Sequence, residues 1–462
     1  MARRECPAFS KASWPCMTVF LLFLSAYTQH EYQRFHSDSG MALAGGDFSV
    51  YYIAGKIANG AGGRQLYDPV LIEAAKRKSE SVLVANPSDD TSAWRQVAIN
   101  SGAASALLYI YPPFFSLTMI PFAYLSFHSA FWLWRELLVI FLLASIYFTL
   151  RIADLPARTP VFFIASIGAL CFFPFIESVY VGQVGPLILL LWTCGAYLLK
   201  VKWDKSSAVI FALATLIKLT PVLVLPLIIL RKRWSWVISY VVGLAVLMGC
   251  SIWILGWHNH WIYFRDVLPA VGEGIARREN KSIPGLILQI AFGHTPFSEV
   301  QVLAPVQGSV APLIAKGLGV VIYAGSLFWM FVMQGSDKNL PNELALLALI
   351  SLVISPVSWR HHYVLALLPL LVLWCTHLTS DRGSRGRIAM LTVATLAIGS
   401  WPVGDLILPA VHPLVLRLLV GSVMLAGALI CIYLFRDVLQ LQDSRHVSSF
   451  AVEALADAEI NP

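Results

Sequence analysis

Charge is scarce in this sequence: Asp, Glu, Lys and Arg make up 13% of its 462 residues, about half the share of an ordinary soluble chain. Apolar residues fill 58% of it and its mean hydropathy is +0.70, which excludes a soluble globular domain. Several common signatures are missing as well. There is no Walker loop, no GxGxxG after a strand and no GxSxG, so nucleotide-binding and serine-hydrolase chemistry have no motif to rest on. The seven cysteines (Cys6, Cys16, Cys171, Cys194, Cys250, Cys375, Cys431) include no CxxC pair and no metal-ligand spacing. They read as small buried hydrophobes. Asp89-Asp90 is not a DxD motif and carries no metal.

What is present is a succession of apolar runs broken by short polar loops, the pattern of an all-α integral membrane protein. Twelve membrane segments are expected at about 14–29, 129–150, 160–181, 184–200, 206–217, 219–230, 235–256, 310–333, 342–357, 361–378, 387–408 and 411–435. The net charge of +7 is not a nucleic-acid footprint, because the basic residues sit in loops between these runs. Positive-inside orientation puts Lys200, Lys202, Lys205, Arg231, Lys232 and Arg233 in the cytoplasm. The 25 apolar residues between those two clusters must then cross twice or dip in and return. Lys218-Leu219-Thr220-Pro221 breaks the helix midway, since proline disfavours helix before it and removes a donor.

Arg3-Arg4 and the apolar run after Trp14 predict a retained signal anchor, with residues 1–13 and 436–462 cytoplasmic. One membrane domain is expected over 14–435, with outer loops at about 30–128 and 257–309, the first containing short helices. Within it, 112–126 is expected to be a re-entrant or interfacial helix on the outer side.

The candidate chemistry then falls on one face. Asp47, in Gly45-Gly46-Asp47-Phe48, suits a general base for a hydroxyl at the membrane surface, or a helix N-cap. Lys218 lines a polar cavity and meets an anion, or snorkels to the interface. Trp359-Arg360-His361-His362 at an outer edge suits phosphate binding or interfacial anchoring. Adjacent histidines diverge by about 100° on a helix and argue against a metal. Gln183 lies at an outer turn between two glycines. Tyr51, Tyr52 and Tyr111 are interfacial aromatics on which a sugar can pack. Arg277, Arg278, Asn280 and Lys281 form a basic rim in the second outer loop, either solvated or facing a phosphate.

Taken in order, Gly46-Asp47-Phe48-x-x-Tyr51, Leu66-Tyr67-Asp68-Pro69, Tyr111-Pro112-Pro113, Gly182-Gln183, Lys218-Leu219-Thr220-Pro221 and Ser355-Pro356-x-Ser358-Trp359-x-His361-His362 resemble glycosyltransferase family 87. The motifs span roughly residues 46 to 363. That family includes mycobacterial α-1,2-mannosyltransferases that use polyprenyl-phosphate mannose. The resemblance implies a GT-C type helical bundle, a lipid-linked sugar donor, a glycan or glycolipid acceptor, an outward-facing site, and no cofactor or metal. It carries the general base onto Asp47 and the histidine of the Ser-Trp-x-His motif onto His361. Lys218, Arg360, His362 and Gln183 are then expected at the donor phosphate and lipid, and Tyr51, Tyr52, Tyr111 and Asn280 at the acceptor or sugar. One departure stands out: family members often carry Asn where this chain has Gly185. A lipid or sugar transporter, or flippase, is the alternative, and a non-catalytic scaffold subunit a third reading.

Overall fold

A computed structural model describes residues 45–60, 65–68, 93–103, 108–155, 160–277, 279–292, 310–332, 339–379, 384–400 and 422–439, with a few isolated positions besides. The expected first segment (14–29), the tail after 439, Asp89-Asp90 and Arg278 lie outside these, apart from isolated positions in 14–29.

Every regular element among the described residues is helical. The outer segment contributes α1 (Gly46–Ala58), α2 (Ala93–Ser101), α3 (Pro113–Thr118) and α4 (Ile120–Ala123). Next come α5 (Phe127–Ile152), α6 (Pro160–Leu170), α7 (Phe173–Val181), α8 (Gly185–Lys200) and α9 (Asp204–Ile217). A 3-10 turn (Thr220–Leu223) leads into α10 (Val224–Leu230) and α11 (Trp234–Leu255). The second loop holds α12 (Trp257–Ile262), a π turn (Tyr263–Val267), α13 (Leu268–Gly272) and α14 (Ile283–Phe292). The chain closes with α15 (Ala311–Val332), α16 (Leu340–Ile354), a 3-10 segment (Arg360–Ala366), α17 (Leu367–Thr379) and α18 (Arg385–Gly399). Residues 423–439 are also helical.

Among the described residues, four helical stretches are long and apolar enough to cross a membrane: Phe127–Ile152, Trp234–Leu255, Ala311–Val332 and Arg360–Leu378. The expected span 160–181 is instead two helices, α6 and α7, bent by 59°. Pro174, in the first turn of α7, explains the break, because its ring cannot follow an unbroken helix. The expected helix 112–126 is also two pieces, α3 and α4, with Pro121 opening the second. Both pack on α1.

Burial sorts the long helices. Only 11% of the apolar window of α11 and 17% of that of α15 are buried, against 61% for Arg360–Leu378. The first two therefore turn most of their apolar surface outward. α16 is the opposite case: every residue from Leu340 to Val353 is buried, as a helix apolar all round requires. Its single acid, Glu343, is paired with Arg231, whose Nε lies 3.0 Å from Oε2. Removing one partner strands a charge in the core. Glu343→Ala is expected to cost about 3–5 kcal/mol of stability, read as a lowered melting temperature in detergent.

Basic residues expected in the cytoplasm gather at one end of the bundle. Lys200 Nζ, at the end of α8, donates to the Arg151 carbonyl (2.9 Å), and Arg233 meets Asp204 at 3.0 Å. The opposite end of α8 begins just after Gln183. Its 16 residues put about 24 Å between the two ends.

Candidate functional site

The site is built on a close approach of two turns. Gly45 (φ +75°) opens α1 and donates its N–H to the Tyr180 carbonyl at 3.0 Å. Gly182 (φ +74°) closes α7, and its carbonyl accepts from Trp134 Nε1 at 2.8 Å. A Cβ at Gly182 would lie 2.5 Å from Phe48 Cβ and 2.9 Å from Phe131. Only glycine gives both the left-handed backbone and this contact. Gly182→Ala is expected to push the start of α1 away and cost roughly 1–3 kcal/mol from backbone strain alone, checked by thermal unfolding.

Asp47 is not the N-cap. Gly45 occupies that position, and Asp47 sits in the first turn, where its charge suits the helix dipole. Its Oδ2 accepts a hydrogen bond from Gln183 Nε2 at 3.0 Å. Burial pushes the Asp47 carboxyl up to about 6, with Glu177 adding to the rise. The Gln183 hydrogen bond and the charge of Lys218 both oppose it. A carboxylate near that value is poised as a base at neutral pH.

Gln183 is the hub. Its Nε2 also reaches His361 Nε2 at 3.2 Å, while Oε1 accepts from Tyr51 Oη (2.5 Å), Tyr111 Oη (2.9 Å) and the Val184 N–H (3.0 Å). With Gln183 donating, His361 Nε2 is an acceptor, which places the ring proton on Nδ1. His362 packs edge-on to His361, ring centroids 4.7 Å apart, and its Nδ1 accepts from the Trp359 N–H.

Lys218 ends α9 in extended backbone (φ −148°, ψ 125°), at the break that Pro221 sets. Its backbone N–H donates to the Ala214 carbonyl at 2.9 Å, while its ammonium makes no hydrogen bond or ion pair with a described residue. Burial lowers its ammonium to about 8, and Asp47 opposes the fall. The lysine's charge acts on Asp47, His361 and His362, and a cation so placed is suited to attracting an anion.

Three expected residues stand differently. Arg360 donates to Glu177 Oε1 at 2.7 Å, both side chains largely buried, and lies over the Phe173 ring at 5.8 Å. Tyr52 points away from Gln183 and donates to the Leu125 carbonyl at 2.8 Å. Asn280 joins two loops: its Nδ2 donates to Ile275 and Pro356 carbonyls, and its Oδ1 accepts from Ser282 Oγ and the Ser358 N–H. All four of its hydrogen-bonding positions are taken by protein.

Glu177 is the residue that sequence reasoning passed over. The available signal was an acid inside the apolar run 173–181, which is costly unless paired. Gly185 also has a structural reason: a Cβ there would lie 2.9 Å from Val364 Cγ1, so the asparagine of the family pattern would need this neighbour to move.

Sequence comparison agrees with the ordered motifs. The pattern of glycosyltransferase family 87 matches residues 109–356. The chain is similar to the polyprenol-phosphate-mannose-dependent alpha-(1-2)-phosphatidylinositol pentamannoside mannosyltransferase of Mycolicibacterium smegmatis, at 25% identity over 60% of this chain and 64% of that protein. It is likewise similar to the polyprenol-phosphate-mannose-dependent alpha-(1-2)-phosphatidylinositol mannoside mannosyltransferase of Mycobacterium tuberculosis, at 24% identity over 65% of this chain and 69% of that one. The match thus spans just under two thirds of the first relative's length and slightly more of the second's. With the family pattern covering more than half of its residues, the chain belongs to glycosyltransferase family 87.

Proposed function

We propose that the protein transfers a hexose, mannose by analogy with its relatives, from a polyprenyl phosphate to a glycolipid or envelope glycan. The reaction runs at the outer face of a bacterial plasma membrane, in a GT-C type bundle. The observation that carries this reading is a half-buried carboxylate, Asp47, set beside an unpaired lysine, Lys218. Asp47 takes the proton of the acceptor hydroxyl. The acceptor oxygen bonds to the anomeric carbon as the bond from that carbon to the phosphate oxygen breaks, with inversion. Polyprenyl phosphate leaves with the bonding pair, and Lys218 neutralises its charge. The leaving group is already good, so the protein supplies positioning, one base and one cation.

The outward orientation rests on the 24 Å or so between the basic end of α8 and the site. α11, which packs on α9, and α15 supply apolar surface for the polyprenyl tail.

The test is transfer of label from polyprenyl-phosphate mannose to a phosphatidylinositol mannoside in reconstituted vesicles, with translocation of the donor followed in parallel. Labelled acceptor together with released polyprenyl phosphate is expected. Donor translocation without transfer would instead make the protein a flippase. The pH profile adds a second test. Asp47 must be ionised, so activity falls as pH drops through about 6. Lys218 must be charged, so it falls again as pH rises through about 8. A bell between those limbs is expected in kcat/KM, which reports the free enzyme.

A further inference from the structure

Gln183, Tyr51 and Tyr111 were expected to touch donor and sugar, but their hydrogen-bonding atoms face one another. Gln183 is 2% exposed, Tyr51 fully buried and Tyr111 9% exposed. The two phenols lie 2.8 Å apart and share their two protons between themselves and Gln183 Oε1. Burial holds both phenols well above their ordinary range, so they remain protonated donors at any working pH. The Val184 N–H also points at Oε1. Reversing the amide would set an NH2 against that N–H, so its orientation is settled by chemistry. The NH2 group is thereby aimed at Asp47 and His361. One Asp47 oxygen accepts from it, while Oδ1 makes no hydrogen bond with a described residue.

We propose that Gln183 is the positioning residue of the base: locked by the Tyr51–Tyr111 pair, its carboxamide grips Asp47 Oδ2 and leaves Oδ1 open to the acceptor hydroxyl. Two functions follow from one bond. It fixes the carboxylate's rotamer, and it favours the charged form that burial disfavours. This rests on the reading of Asp47 as base, but its physical content is a property of the resting protein. The charged and titratable groups facing Asp47 are Lys218 from the turn after α9, Glu177 from α7, and His361 with Arg360 from the 3-10 segment. Tyr51 and Tyr111 also face it, both as neutral phenols, and the variants below leave every charged member of the set unaltered.

The experiment is difference infrared titration of the Asp47 carboxyl in the full chain, assigned by its loss in Asp47→Asn. The wild-type midpoint is expected near 6. Gln183→Leu removes a hydrogen bond to the charged form and is expected to raise that midpoint by about one to two units. The double variant Tyr51→Phe, Tyr111→Phe keeps both rings and their packing but frees the amide. It is expected to raise the midpoint by roughly half a unit or more, and serves where Gln183→Leu does not fold. In transfer assays the double variant should lose about tenfold in kcat with little change in donor KM, and each single variant much less, because either phenol still anchors the amide. A midpoint unmoved in both variants overturns the proposal. If it is unmoved while Asp47→Asn abolishes transfer, the transferase reading stands and this one falls. If it rises while Asp47→Asn transfers at the wild-type rate, Gln183 holds the carboxylate and Asp47 is not the base.

Discussion

Asp47→Asn is expected to lower sugar transfer by about 10²- to 10⁴-fold, the usual range for loss of a general base, while leaving the protein folded. Asparagine matches aspartate in shape, and its Oδ1 can accept the same hydrogen bond from Gln183 Nε2 that Oδ2 now accepts. What it cannot do is take a proton from a hydroxyl. The stability change has a definite sign. A carboxyl raised to about 6 by burial is harder to ionise in the folded protein than in the unfolded chain. Above that pH the ionised group weighs against folding, so the neutral isostere melts at the same temperature or higher. Donor binding should be nearly unchanged, because the lost interaction belongs to the transition state. Labelled transfer, melting temperature and donor affinity at pH 7.5 check the three statements together. A variant with wild-type transfer would remove Asp47 from the mechanism.

Parts of this arrangement were legible in the residues because they follow from local rules. The break after Ile217 is one, since Pro221 forbids a continuous helix whatever surrounds it. Pro174 carried the same signal in 160–181, but the surrounding hydrophobicity masked it as one long span. Gathering Asp47 and Gln183 into a hydrogen bond 136 residues apart in sequence was expected only as a shared face; the contact depends on Gly45 and Gly182 meeting across Phe48 and Phe131. The tyrosines show the limit most clearly. Tyr51 and Tyr52 are neighbours with the same composition signal, yet about 100° of helical rotation sends one to Gln183 and the other to Leu125. Arg360 was read from its charge alone as a phosphate ligand, and only the fold reveals Glu177 lying against it. The Asn280 side chain, similarly, reads as a polar rim residue until both loops it ties are in view.

Lys218 is where the second large effect is expected, and it separates a phosphate ligand from a snorkelling anchor. Lys218→Gln removes the cation without changing the extended backbone at the helix break. If the ammonium neutralises the departing phosphate, kcat/KM should fall by about 10²- to 10³-fold, as for removal of one preorganised donor at a developing charge. The pH profile should change on both sides. Its alkaline limb near 8 disappears, because that limb is the lysine's own titration. The acidic limb moves above 6, because Lys218 is one of the charges that holds the Asp47 carboxyl down. Lys218→Arg keeps the charge but spreads it over a larger planar group on a different stem. It should restore the acidic limb and only part of the rate. Stability is the control: the Lys218 ammonium pairs with no described residue, so neither substitution breaks a hydrogen bond or ion pair and both should melt close to the wild type. An interfacial anchor makes the opposite prediction, a lowered melting temperature with both limbs unmoved. Steady-state transfer from polyprenyl-phosphate mannose across pH 5 to 9, alongside thermal unfolding of the same preparations, distinguishes the two because each readout that one reading moves is left unchanged by the other.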